Sequence, residues 1–461
     1  MAQISQASFA HSTDRPHGEE GADRVDVLCI DMNGIPRGKW VPAEQLDKVM
    51  DGQVRLPLST QSLDIWGEDN DALTGLSQSI GDPDGVCHAD ERTLTPLPWA
   101  KGHQVLTTLH DLNGTPSFMD PRAMLAAVVE RFRSHGWTPV VAIELEFYLL
   151  DAEARHALKT MPPAPLCPGG EPRGQQLYEL ETMDAVAPVL DTIRAFARAQ
   201  NIPADTLIAE FGPGQFEVNL WHRPDALAAA DDALYFKRLV AQAARHHGLA
   251  STFMAKPYTD QAGSGMHLHV SVLDEDGNNI FDQDNGAGHL DAAIGGVMHS
   301  LLDGQAIFAP HGNSYRRFQP DSFAPIECTW GCDHRGAAVR VPEWHGAAAR
   351  LEHRVAGADA NPYLVATALL GGHSAWARAT HRAATGHRGR SPFAAAPPSI
   401  SPMIGSPRSS ASPPRRPWPI YSARRIEIST PESSVTRPGS SWPGSPMSTA
   451  RRIFPDSKEQ A

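Results

Sequence analysis

The chain has 461 residues, 41% hydrophobic and 20% charged, with 38 glycines and 39 prolines. That is enough to bury a large core in two or three domains, and it excludes disorder throughout. A formal net charge of −13 repels phosphate backbones and anionic bilayers, so nucleic acid and membrane are both poor partners.

Residues 1–24 read as a disordered arm without the apolar stretch of a secretory signal. From Val25 the pattern is short strands and turns. Val25 to Ile30 is rich in β formers, Asn33-Gly34 is a hairpin-type turn, and Ile35 to Trp40 returns. This small α/β unit is expected over 25–115, with the proline-bearing Leu94 to Trp99 as its exit. Asp120-Pro121 then starts a helix as N-cap and first-turn proline, with Met124, Leu125, Val128, Val129 and Phe132 on one face and Gly136 closing it. A second long helix is expected from Asp231 to His247, ending at Gly248. Five scattered cysteines (Cys29, Cys87, Cys167, Cys328 and Cys332) contain no C-x-x-C pair. They read as reduced thiols in a cytoplasmic protein.

The chemistry lies in strands whose polar residues recur at every second position and so project from one face. Glu144 and Glu146 alternate with Ile143, Leu145 and Phe147; His267, His269 and Ser271 alternate with Met266, Leu268, Val270 and Val272. Arg350, Glu352 and Arg354 line up likewise over Arg350 to Val355, as do Glu217 and Asn219 after the loop Gly212-Pro213-Gly214-Gln215. One such strand is an ordinary solvated face. An acidic, an imidazole and an arginine face in one chain point to a site.

If these faces converge, Glu144, Glu146, Glu210, Glu217 and Glu352 crowd carboxylates that cannot all stay ionised without counter-charge. Divalent cations resolve the conflict, and oxygen-rich ligation with an imidazole and no thiolate favours Mg²⁺ or Mn²⁺ over structural zinc. Magnesium commonly shares its shell with substrate phosphate, which implies a nucleotide. Arg317, Arg335, Arg340 and Arg354 supply cationic forks for phosphoryl and carboxylate groups. There is no G-x-x-x-x-G-K-[ST] loop, so ATP would be held by metals and arginines.

In this order the motifs resemble the glutamine synthetase family over about Val25 to Leu370. They are D-P-R at Asp120 to Arg122, E-L-E-F at Glu144 to Phe147, E-F-G-P-G-Q-F-E at Glu210 to Glu217, and G-S-G-M-H-L-H-V-S ending at Ser271. N-S-Y-R-R at Asn313 to Arg317, R-G-A-A-V-R at Arg335 to Arg340, R-L-E-H-R at Arg350 to Arg354 and A-N-P-Y-L ending at Leu364 continue it. The resemblance implies an α+β protein: an N-terminal β-grasp domain (25–115) and a catalytic domain (120–372) with a curved antiparallel sheet forming a funnel flanked by helices. It implies two or more Mg²⁺ or Mn²⁺ ions per site, with Glu146, Glu210 and Glu217 on one and Glu144, His267 and Glu352 on another. By the same resemblance Arg317 and Arg354 clamp the α-carboxylate of L-glutamate, with Gly263 in the loop over it. Arg335 and Arg340 match catalytic positions that hold phosphate, and His269 and Ser271 match positions near the nucleotide. The implied partners are L-glutamate, ATP, an amine, and further copies of the chain in a ring.

Ammonia-using members carry a carboxylate flap before the A-P that follows N-S-Y-x-R; here that position is Phe323. The stretch comparable to their ammonium-holding D-G-S-S reads Leu56-Pro57-Leu58-Ser59-Thr60-Gln61-Ser62. An aromatic at the acceptor mouth suits an amine with an alkyl or aryl body, as in the γ-glutamylpolyamine synthetase branch. Ammonia ligation, with Phe323 as loop packing, and a non-catalytic scaffold are the alternatives.

From His373 to Ala461 the expected helix-rich ending gives way to Ser, Pro, Arg and Ala without apolar period. A natural disordered tail and a diverged cap are two explanations; we favour a shifted reading frame. Codons permitted for His373 to Arg378, read one base later, give Ile-Leu-His-Gly-Leu, close to the family at this point.

Overall fold

The computed structural model describes residues 21–153, 161–167, 170, 174–285 and 288–372, with the backbone of Tyr421–Arg425. Most of the expected N-terminal arm and of the aberrant tail (1–20, 373–420 and 426–461) thus lies outside the described residues. All five cysteines are free. No described helix is long and apolar enough to cross a membrane.

A six-stranded sheet comes first, in the order β2-β1-β6-β4-β3 with β5 on β6. Its strands are β1 (Arg24–Ile30), β2 (Pro36–Pro42), β3 (Arg55–Pro57), β4 (Asp84–Ala89), β5 (Thr95–Pro96) and β6 (Gly102–His110). The β1–β2 turn forms where Asn33-Gly34 predicts it. The Asp31 carboxylate accepts from the amides of Asn33 and Ile35 at 2.9 and 2.8 Å, and Gly34 takes a φ of +76°, a conformation open to glycine. Leu94 to Trp99 is not an exit: Thr95–Pro96 pairs with β6, which lies parallel to β1 near the middle of the sheet. Alternation along β1 sends Val25, Val27 and Cys29 into a small core with Val105 and Leu109, and Leu28 and Ile30 into the main core.

The second sheet has nine strands, in the order β15-β12-β13-β14-β11-β7-β9-β8 with β10 on β7. These are β7 (Thr138–Asp151), β8 (Ala204–Ala209), β9 (Gln215–Leu220), β10 (Leu249–Thr252), β11 (Met266–Leu273), β12 (Glu327–Cys332), β13 (Val339–Glu343), β14 (Arg350–His353) and β15 (Tyr421–Arg425). Only β12 and β13 run parallel; the other pairs are antiparallel. Within the stretch expected to lack period, β15 pairs with the edge strand β12. The strand predicted over Arg350 to Val355 stops at His353, although the Arg354 amide still bonds the Ala338 carbonyl at 3.0 Å.

The apolar face of this sheet is covered by α1 (Pro121–Arg133), α2 (Ala187–Ala199), α3 (Ala226–His246) and α4 (His289–Ser300), with a further helix, α5, over 362–372. Asp120 caps α1 as expected, accepting from the Ala123 amide at 2.8 Å, and Leu125, Val128 and Phe132 are buried. The long helix starts five residues before the predicted Asp231. Asp225 caps it through the amides of Leu227 and Ala228 at 3.0 and 3.1 Å, and the alanine-rich first turns that follow carry no amphipathic period to announce them. Asp231 is instead a buried member of an ion network in which Arg122 holds it and Asp90, and Tyr363 donates to it at 2.7 Å. Asn361 ties the β1–β2 turn to the start of α5, donating to the carbonyls of Asp31 and Met32 at 3.1 and 3.3 Å.

Candidate active site

The polar face left open by the helices is assembled by strand register. Glu144 on β7 lies opposite His267 on β11 and Asn219 on β9; Glu146 lies opposite Glu217. Further out, His269 on β11 lies opposite Glu352 on β14, and Glu352 opposite Arg340 on β13. Directly opposed residues share a face, so the acidic, imidazole and arginine faces form one continuous surface.

Its side chains interlock. Glu144 meets His267 Nδ1 at 3.2 Å through Oε2 and His269 Nε2 at 3.0 Å through Oε1. Glu146 Oε2 accepts from the Gly265 amide at 2.8 Å and from Gln215 Nε2 at 3.3 Å. Asn219 donates to Glu217 at 3.0 Å. Arg340 donates to Glu352 at 2.8 Å and pairs with Asp333; Arg354 pairs with the other Glu352 oxygen and donates to the Arg335 carbonyl at 2.9 Å. Arg317, buried, donates to the carbonyls of Val355 and Arg354 at 2.7 and 3.1 Å. Glycine leaves room beside it: a Cβ on Gly265 would stand 2.7 Å from both Arg317 Nη2 and His267 Nε2, and one on Gly263 2.8 Å from Arg317 Cγ.

The electrostatics match this crowding. Burial, with Glu210 nearby, pushes the Glu146 carboxyl up to about 7, and burial with Glu144, Glu146 and Glu210 drives Glu217 well above the usual carboxylate range. Burial also raises Glu210. For Glu144 burial is outweighed by hydrogen bonds from His267 and His269, and for Glu352 by the positive charge around it, Arg354 among it, so both are held low. Burial and Arg354 depress His267 to about 4, keeping the imidazole neutral; burial takes Arg317 down to about 10.

Donor atoms of Glu144, Glu217 and His267 lie within 4.8 Å of one another, as do those of Glu144, His269 and Glu352. A neutral imidazole among buried carboxylates whose charges oppose one another is a donor set that fits a hard divalent cation. Among the described residues neither expected set, Glu146, Glu210 and Glu217 or Glu144, His267 and Glu352, draws together as a whole to that distance. One Glu146 oxygen is engaged by Gly265 and Gln215, and Glu210 stands just past the end of β8. A cavity of about 380 Å³ adjoins the row, lined by Glu144, His269, Ser271, Arg350, Trp221 and Asp205 among others.

The catalytic domain of glutamine synthetase matches residues 118–375. Over 355 residues the chain is 42% identical to gamma-glutamylputrescine synthetase PuuA of Escherichia coli strain K12, covering 76% of this chain and 74% of that one. The chain belongs to the glutamine synthetase family. Another member, glutamate–isopropylamine ligase of a Pseudomonas species, is 32% identical over 361 residues, or 76% of each chain. Among solved structures of the family's fold, GmaS in complex with ADP superposes with a TM-score of 0.68 at 26% identity, over 78% of this chain and 80% of that one.

Of the positions that glutamine synthetase motifs single out, Glu144, Glu146, Glu217, His267, His269, Glu352, Arg340 and Arg354 meet on the shared face. Ser271 lines the cavity and Gly263 packs against Arg317. Arg335 is exposed; its carbonyl accepts from Arg354 and its charge acts on Glu210. Phe323 is 63% exposed on the loop before β12. Three residues had no role in the sequence reading. Gln215 bridges Glu146, the Gly263 carbonyl and the Gly212 amide; Gly265 is the close approach described above; Asp333 holds Arg340. The glycine-rich loop before Gln215 was the one available signal for the first.

Proposed function

We propose that the protein is an ATP-dependent carbon–nitrogen ligase that joins the γ-carboxylate of L-glutamate to an amine through γ-glutamyl phosphate. The observation that carries this is the single face on which Glu144, Glu146, Glu217, His267, His269 and Glu352 lie beside Arg340 and Arg354, in a chain akin to γ-glutamyl-amine synthetases. Glu144, His267 and Glu352, and Glu146, Glu210 and Glu217, would hold two or more Mg²⁺ or Mn²⁺ ions. Bound there, the ions would neutralise charge on the phosphoryl oxygens of ATP.

In the first step a γ-carboxylate oxygen attacks the γ-phosphorus and ADP departs. In the second the amine nitrogen attacks the acyl carbon, phosphate leaves, and the amine gives up a proton. Arg317 and Arg354 would orient glutamate by its α-carboxylate under the Gly263 loop, and Arg335 and Arg340 would hold the transferring phosphoryl group. His269 and Ser271 would lie toward the nucleotide. The exposed Phe323 would line the acceptor mouth for an alkyl-bearing amine. Residues 25–115 are read as a β-grasp domain, 120–372 as the catalytic domain, and the assembly as a cytoplasmic ring of copies.

Phosphate release with glutamate, ATP and Mg²⁺ tests this, with ammonium, putrescine and isopropylamine in separate arms. Turnover with putrescine or isopropylamine is expected. Turnover with ammonium alone would make the protein a glutamate–ammonia ligase, and no turnover in any arm would favour a scaffold.

A further inference from the structure

Arg350 has no part in the assignments above, yet it reaches the middle of the carboxylate row. Its Nε donates to His269 Nδ1 at 3.3 Å, and its Nη1 is anchored on the Ala348 carbonyl at 3.0 Å. Across the same ring, Nε2 lies 3.0 Å from Glu144 Oε1. A guanidinium carries donors only. Nδ1 of His269 must therefore accept, the ring proton must sit on Nε2, and that proton is given to Glu144.

We propose that Arg350 is a positioning residue: by setting the tautomer of His269 it fixes the carboxylate of Glu144 for the metal. This rests on the metal-dependent reading above. It also distinguishes two imidazoles that sequence spacing presents alike. Both nitrogens of His269 are engaged, one by a cation and one as a donor, so this ring orients a ligand and His267 is left to be one. Partners of this kind commonly change metal affinity ten- to hundredfold.

The test is Mn²⁺ binding to the metal-free full chain by calorimetry, without substrates, for wild type, Arg350→Met, Arg350→Lys, His269→Gln and the double variant Arg350→Met/His269→Gln. Circular dichroism checks the fold, and Arg350→Lys supplies the comparison should Arg350→Met lose it. Arg350→Met is expected to weaken Mn²⁺ about tenfold, and to weaken it no further once His269 is gone, because it acts through that ring. Solid-state ¹⁵N spectra of histidine-labelled protein should show an Nε2-protonated ring that disappears in His269→Gln and is altered in Arg350→Met. Wild-type affinity in Arg350→Met, an equal loss in both backgrounds, or a proton on Nδ1 of His269 would overturn the inference. A wild-type chain that takes up no Mn²⁺ would instead overturn the metal reading, and this inference with it.

Discussion

Gly265 sits where three demands meet. Its amide serves Glu146, and the space where a side chain would stand is bounded by Arg317 and His267 at 2.7 Å each. Gly265→Ala should leave the fold intact and push one of those groups aside, at about 1–3 kcal/mol of overpacking. Felt at the transition state, that is a ten- to hundredfold loss of kcat/KM, measurable beside an unchanged circular dichroism spectrum. The carboxylates make a second prediction. Glu146 is raised in the folded chain from 4.5 to about 7, and Glu210 and Glu217 are raised as well. The folded state therefore binds more protons than the unfolded one, and their contribution to stability, present below about 4.5, is lost as pH climbs through 7. A cation that takes up the charge reverses the loss. Mg²⁺ should thus raise the melting temperature more at pH 8 than at pH 6.5, by an amount that grows with its concentration over Kd; an equal shift at both would count against the carboxylates as its ligands.

Helices α1 and α3 are joined by a buried ion network as well as by apolar packing. Arg122 on α1 grips both oxygens of Asp231 on α3 at 2.9 Å and reaches Asp90 at 2.7 Å. Arg122→Met would leave Asp231 buried with Tyr363 as its remaining donor of the two, so a loss of about 3–5 kcal/mol is expected in urea unfolding. Such pairs also explain what could be read from the sequence and what could not. Strands with strict alternation, such as β7 and β11, announce which residues share a face. The cap Asp120 announces α1. The early start of α3 escaped because Ala226 to Ala230 has no polar–apolar rhythm, and β5 escaped because two residues are too few to show a period. Side-chain partners such as Gln215 with Glu146, or Arg350 with His269, are joined across 69 and 81 positions; strand spacing reveals the face they share, never the contact.

At the scale of the molecule, the last described helix is well anchored: Tyr363, Val365, Ala366, Leu369 and Leu370 are all buried. Beyond it the Ser- and Pro-rich composition gives no apolar period with which to extend that packing. This chain is therefore expected to be poorly soluble or weakly assembled, and a gene continued after codon 372 in the neighbouring frame to yield a more soluble, better assembled protein in sedimentation experiments. A neighbouring frame without helical periodicity would refute the frameshift explanation, and a monodisperse and fully active ring from the present chain would refute the expected poor solubility and assembly.

The bond from Asn361 to the carbonyl of Asp31 spans 330 positions. During synthesis, the opening hairpin thus emerges from the ribosome long before the residue that fastens it exists. Contacts of such separation slow the final step of folding. Until Asn361 clears the exit tunnel, the hairpin is held only by its earlier partners, β6 and Gln61 among them, and this last fastening is missing.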